Sequence, residues 1–227
     1  MKRKVFEIAI ALAAIALLVE ASRGVEGLSR RKHDLEVLYL PSGAFIEQAT
    51  LGYHELAADL LWFKTVQYYG GYRMGENDLA LFSHLINVVT DLDPQFVFAY
   101  VFGALIISQD LGHLRAGIGV LEKGIRNNPD DWWLPFELGF LYYVGARDYA
   151  RASECFERSS RMQGAEPIAA RFAAFVAAKA GFTETSVAMW EELARTSDNR
   201  YVRELAERYI AELKAGTFGA PPGGGAK

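Results

Sequence analysis

The sequence has few of the residues that disulfides, metal sites and nucleic-acid interfaces require. Its 227 residues include one cysteine and four histidines, so it has no internal disulfide and we expect no metal and no cofactor. Lys and Arg total 24 against 28 Asp and Glu, for a formal net charge of −4. Because a nucleic-acid interface needs a basic face to neutralise phosphates, we expect no nucleic-acid partner.

The sequence motifs of common catalytic sites are also missing. His54-Glu55 lacks the second histidine of a zinc-protease motif, and the four histidines share no local pattern. The chain contains no glycine-rich phosphate loop, nucleophile elbow or CxxCH haem site. Cys155 precedes a large apolar residue and is predicted to be a packing thiol. We therefore predict no catalytic residues and no enzymatic activity.

The N-terminal segment has an apolar run that is short for a membrane span. Basic residues 2–4 precede residues 5–19, which are apolar except for Glu7. As a helix this run covers roughly 22 Å, whereas the hydrocarbon core measures about 30 Å. One interpretation is a secretory signal cleaved after Val19-Glu20-Ala21. The other, which we favour because the first glycine is Gly24, is an uncleaved anchor over residues 1–23 that contacts the membrane through residues 5–23.

The organisation of the rest of the chain follows from this anchor. Residues 24–44 are predicted to be a stalk or linker, 45–214 a folded domain and 215–227 a disordered tail. An export-type N-terminus favours a single-pass protein of the inner membrane with its body in the periplasm. Basic residues lie on both sides of the apolar run, so the charge bias that sets orientation is weak.

Residues 45–214 contain a helical repeat and little period-2 alternation. Small residues recur about 35 residues apart in two columns, and large apolar residues form a third. Such a period indicates helix pairs that bury their apolar faces by stacking on the next pair. The columns are Gly103, Gly139, Ala174; Gly117, Ala152, Ser186; and Leu121, Phe156, Trp190.

Glycine and proline positions divide this region into four helix pairs and a capping helix. Gly112 and Gly181 mark turns within pairs, and Pro94, Pro129 and Pro167 precede the next pair. The residues 70–75 form the connection inside the first pair. The predicted helices are 45–69 with 77–91, 95–109 with 113–127, 131–145 with 148–162, 167–180 with 183–196, and 199–214.

The third pair carries a family resemblance. Trp133, Leu138-Gly139, Tyr142, Ala152 and Phe156, with the recurring prolines, resemble the tetratricopeptide repeat (TPR) pattern, best over residues 95–195. The resemblance implies an all-α fold, a right-handed helical-repeat solenoid, and a protein-binding groove lined by the first helix of each pair. The repeats are degenerate, and the loop 145–148 carries an extra residue.

Placing the first small-residue column where helices cross predicts which residues line this groove. Most are aromatic, and aromatic concave surfaces bind apolar or proline-rich segments or an amphipathic helix. The alternative is that the aromatic residues are core. The candidates are Tyr100, Ile107, Trp133, Phe136, Glu137, Phe140, Tyr143, Arg171, Phe175 and Lys179.

The function expected from these features is a membrane-tethered interaction scaffold, or an accessory subunit of a cell-envelope complex, whose partner is another protein. Two alternatives stay open. One is a soluble exported adaptor produced by signal cleavage, and the other is an enzyme or small-ligand binder that uses the groove. The aromatic segment 60–69 also has two interpretations, a docking face or a core helix.

Overall fold

A computed structural model of the protein describes residues 52–219, and this part of the chain is helical without any strand. The predicted anchor, the stalk and residues 220–227 of the tail lie outside the described residues. The helices are α1 (His54–Arg73), α2 (Phe82–Leu92), α3 (Val97–Gln109), α4 (Leu114–Asn127), α5 (Trp133–Phe140) with a π-helical segment (Leu141–Ala146), α6 (Tyr149–Ser160), α7 (Pro167–Lys179), α8 (Thr183–Thr196) and α9 (Arg200–Lys214).

Each helix packs mainly against the helices that precede and follow it in sequence. Contacts that skip a helix are fewer, and those that join α3 to α5 and α4 to the π-helical segment build the site described below. The three predicted columns are buried throughout, and the large column Leu121, Phe156 and Trp190 is at most 1% exposed. The prediction of an all-α fold is confirmed for the described residues, which form helices and no strand. The periodic residues are buried where these helices pack together.

The turn signals also lie where the sequence places them. Gly112 and Gly181 have φ values of 70° and 85°, a left-handed conformation that glycine adopts without steric cost. Pro167 lies at the start of α7, where its missing N–H is not needed. The predicted boundaries of α3, α4 and α7 to α9 agree with the structure to within about two residues.

The connection inside the first pair differs from the prediction. Helix α1 continues through Gly70 and Gly71 to Arg73, so much of the predicted loop 70–75 is helical. Helix α2 begins at Phe82 rather than at residue 77. The side chain of Asp78 accepts a hydrogen bond from the Ala80 N–H at 2.9 Å, which favours a turn before the helix.

The beginning of the predicted disordered tail is packed onto the body. Gly216, with φ 69°, turns the chain after α9. The ring of Phe218 then lies 5.6 Å from that of Phe175 and 5.5 Å from that of Tyr209. The prediction of disorder was therefore wrong for residues 215–219, since an aromatic side chain after the glycine-terminated helix finds an apolar surface.

The connection between α5 and α6 begins in π-helical geometry. The helix that begins as α5 widens into the π-helical segment, which accommodates one more residue than α-helical geometry. It ends at Arg147, which has φ 54°, and the Asp148 side chain then caps α6 by accepting a hydrogen bond from the Arg151 N–H at 3.1 Å. Residues 141–146 contact α4.

Candidate functional site

Aromatic side chains from α1, α3 and α5 form a continuous surface that we call the aromatic band. It consists of Trp62, Phe98, Phe102 and Trp133. The centroid of the Trp62 ring lies 5.7 Å from that of Phe98 and 5.3 Å from that of Phe102, both edge-on. Phe98 lies 6.0 Å from Trp133. The ring of Phe98 remains about half exposed, so the band presents apolar surface to solvent.

A cavity of about 440 Å³, which we call the α3–α5 pocket, is connected to the band through the hydrogen bond between Trp133 and Glu137. Leu105 and Val144 are exposed on its rim. Gly145 lets the π-helical segment approach α4, since a Cβ atom there would lie 2.7 Å from Leu114 Cδ1. The pocket is lined by Leu105, Ser108, Gln109, Leu114, Glu137, Phe140, Leu141, Val144 and Gly145.

Glu137 is the one charged residue among the described residues that line this pocket. The indole Nε1 of Trp133 donates a hydrogen bond of 2.8 Å to Glu137 Oε1. Burial raises the pKa of Glu137 above its usual value, and the hydrogen bond from Trp133 partly opposes this rise. The side chain is therefore a positioned acceptor in an apolar surrounding, suited to a ligand that brings an N–H donor.

The pKa of Glu137 predicts a pH-dependent effect of Glu137→Gln. The pKa of Glu137 is higher in the folded protein than in the unfolded chain. The folded state is therefore more stable at acidic pH, where the carboxyl is protonated, and this stability is lost as the pH rises through the pKa of the folded state. Glutamine avoids this loss and keeps an acceptor for Trp133. We expect Glu137→Gln to raise the melting temperature at pH 7.5, with a gain that shrinks toward pH 4. The control Glu207→Gln, exposed on α9, should show no such trend, and a gain for Glu137→Gln independent of pH would contradict the prediction.

Three of the predicted groove residues lie at this site. Trp133 belongs to the aromatic band, and Glu137 and Phe140 line the α3–α5 pocket. Phe140 also packs against Phe136, Phe156 and Phe172, so it connects the pocket to the core.

Three other groove candidates, Tyr100, Ile107 and Phe136, are buried in the interior and do not line an exposed surface. The reason is helical phase, because residues three before and four after Gly103 share its face. That face packs against α2, where a Cβ atom at Gly103 would lie 2.5 Å from Ile86 Cγ2. These residues follow the core interpretation that the sequence had left open.

The remaining candidates lie away from the pocket. The ring of Tyr143 packs against Tyr149 at 5.6 Å. Phe175 contacts Phe218, and Lys179 lies 5.8 Å from the Phe175 ring centroid, so both lie beside the C-terminal segment that follows α9. Arg171 is half-buried on α7 and does not line the pocket.

Sequence reasoning missed Phe98, Leu105 and Val144, which supply most of the exposed apolar surface at the site. The helical spacing from Gly103 could have identified two of them. If Gly103 faces α2, positions 98 and 105 lie on the opposite side of α3 and are expected to face solvent. Val144 lies in the π-helical segment, whose number of residues per turn differs from that of an α-helix.

The cysteine and the potential metal ligands among the described residues do not form a second site. Cys155 is half-buried, and burial raises the pKa of its thiol to about 11, so the thiol is protonated at neutral pH. Residues 52–219 contain no cluster of three or more side chains able to hold a metal ion and no helix long and apolar enough to cross a membrane. No protein-family model matches the chain, and no curated protein matches its sequence.

Proposed function

We propose that the protein is a non-catalytic interaction scaffold, or an accessory subunit, of a cell-envelope complex. Its N-terminal segment tethers it to the inner membrane, and its periplasmic body binds an apolar segment of a partner protein in the α3–α5 pocket. The observation that carries this proposal is the pocket itself. It combines a volume sufficient for one or two large side chains, an apolar rim and one half-buried carboxylate that Trp133 holds in place.

The chemistry of the pocket defines the kind of segment that it would accept. Leu105, Phe140 and Val144 provide apolar contacts, and the neighbouring aromatic band extends them toward α1. Glu137 accepts one hydrogen bond from Trp133, and its second oxygen can accept another from the partner. A segment with a large apolar side chain next to a backbone or side-chain N–H group satisfies both requirements.

Two further observations support a TPR-like solenoid that carries this site. The buried columns recur about every 35 residues, and the helices pack chiefly with their neighbours in sequence. The site draws on α1, α3 and α5, the first helices of three successive pairs, which are the helices that line the concave face in such repeats. A tether would confine the body to the membrane and raise the effective concentration of a membrane partner.

A photo-crosslinking experiment tests this proposal in the native membrane. The full chain carries a benzophenone amino acid at position 144, or at position 201 as the control. Val144 and Tyr201 are both 65% exposed, so accessibility is matched. We expect one protein adduct from position 144 and no equivalent adduct from position 201. Equal adducts from both positions, or none from position 144, would contradict the proposal.

The mass of the purified chain separates the tethered protein from the exported alternative. An intact N-terminal segment supports a tether, whereas loss of the residues through Ala21 supports a soluble adaptor that uses the same pocket.

The pocket volume also favours a second candidate, a protein that binds a small ligand, because it lies within the roughly 300–1,000 Å³ range of ligand sites. Native mass spectrometry distinguishes it. A retained small molecule that Glu137→Gln removes, together with no adduct from position 144, would favour this candidate over a protein partner.

A further inference from the structure

Helix α1 is apolar on two opposite faces. Ala58, Leu61 and Tyr68 are buried on the face that packs against α2. Leu60 and Phe63, each 62% exposed, lie on the other side of the helix, together with Leu56. Since successive residues are about 100° apart, the exposed stripe lies roughly half a turn from the buried one. One apolar face of α1 packs against the body of the protein, and the other is exposed to solvent.

The exposed stripe follows the spacing of a coiled-coil seam. Leu56, Leu60, Phe63 and Gln67 are separated by four, three and four residues, the alternation of d and a positions in a heptad. In this register Asp59 occupies a g position and Lys64 an e position. Both side chains are exposed and flank the apolar stripe. The segment 60–69 therefore contributes to the core through one face and exposes apolar side chains on the other.

The two flanking charges indicate what covers this face. In a parallel, in-register pair of identical helices, a g residue of one helix lies next to the e residue five positions later on the other. Asp59 of each copy would then lie beside Lys64 of its partner, which forms two symmetric ion pairs across the seam. An antiparallel pair would place g beside g and e beside e, and would leave Asp59 without this cation.

We propose that α1 is a self-association surface on which two copies of the protein pair in parallel and in register. Leu56, Leu60 and Phe63 of each copy form the apolar seam, and Asp59 and Lys64 select the parallel orientation. Because α1 packs on the body through its opposite face, the two bodies lie on the outside of the pair. This surface is separate from the α3–α5 pocket and does not depend on the proposed function.

The expected dimer is weak in solution. A single helix pair buries less than the roughly 800 Å² per partner of a standard stable interface. We therefore expect association at micromolar concentrations or above. The twofold axis of a parallel pair runs along the helices, so both chains leave α1 in the same direction, which is the arrangement that two tethered copies require.

Disulfide trapping tests both the pairing and its orientation. The full chain in mild detergent carries Cys155→Ser and one new cysteine, in Leu56→Cys, Leu60→Cys or Gln67→Cys. A parallel, in-register seam brings each of these residues next to its own copy, so all three should crosslink under mild oxidation. Tyr201→Cys is the exposed control and should not. Crosslinking at Leu60→Cys alone would indicate antiparallel pairing. No crosslinking at any of the three positions would indicate that something other than a second copy covers this face. Either result would overturn the proposal.

Charge reversal provides a second test that does not rely on new cysteines. Asp59→Lys and Lys64→Asp should each weaken the dimer about fivefold at low salt in sedimentation equilibrium, because they bring like charges together across the seam. The double variant should restore the dimer to within about twofold. Circular dichroism confirms that each variant folds. Failure of the double variant to recover dimerisation would overturn the parallel pairing.

Discussion

We expect Phe156→Ala to lower the free energy of unfolding of the body by about 3–5 kcal/mol, measured by urea denaturation followed by circular dichroism. Phe156 is fully buried on α6. Its ring lies 5.3 Å from those of Phe136 and Phe140 and 5.4 Å from that of Phe172, so α5, α6 and α7 meet at this side chain. Removing it leaves a cavity among three aromatic rings that cannot collapse without shifting three helices.

The matched control is Phe182→Ala, which removes the same atoms from a ring that is 46% exposed. We expect this substitution to cost about 1 kcal/mol or less, since much of the ring is already in contact with water. Equal losses for the two variants would contradict a core centred on Phe156. The α3–α5 pocket should lose its shape in Phe156→Ala, because Phe140 belongs to both the pocket and this cluster.

The second large effect is expected at the crossing of α2 and α3. Glycine to alanine inside a helix ordinarily stabilises it by about 0.5–1 kcal/mol. At Gly103 we expect the opposite sign, a loss of about 1–3 kcal/mol, because the added Cβ would lie 2.5 Å from Ile86 Cγ2. Gly119→Ala on α4 is the control, since no atom lies within 4 Å of its added Cβ, and it should stabilise the protein by the ordinary amount.

A double-mutant cycle identifies the cause of the loss at Gly103. Ile86→Ala alone should cost about 2–5 kcal/mol, because the side chain is fully buried. Combined with Gly103→Ala, the cost should be smaller than the sum by about 1 kcal/mol or more, since the new methyl group enters the space that Ile86 leaves. Strict additivity would show that the two positions do not contact one another.

The signals that located the helices are local, and this is why they could be read without a structure. The glycines that follow helices with positive φ, and Pro167 at a helix start, each act through their own backbone or their own turn. The column Leu121, Phe156 and Trp190 is buried because each repeated helix pair has one apolar face that packs against the neighbouring helices, and the sequence repeats that face at a fixed spacing.

The sequence did not predict which aromatic residues are exposed at the site, because this depends on how α3 is oriented against α2. Tyr100 and Phe98 are both aromatic and two residues apart, yet one is fully buried and the other half exposed. Which of them faces solvent depends on the side of α3 that crosses α2. The π-helical segment adds a second shift of phase, which moves Val144 onto the rim of the α3–α5 pocket.

The sequence by itself determined the helical class of the described body, the order of most of its helices and the three periodic columns that are buried in its core. It did so because periodicity, helix caps and turn residues are properties of short stretches of chain. Only the tertiary structure decided which apolar residues remain in contact with water. Leu60, Phe63, Phe98 and Val144 are as apolar as their buried neighbours, and their exposure follows from how the helices pack against one another.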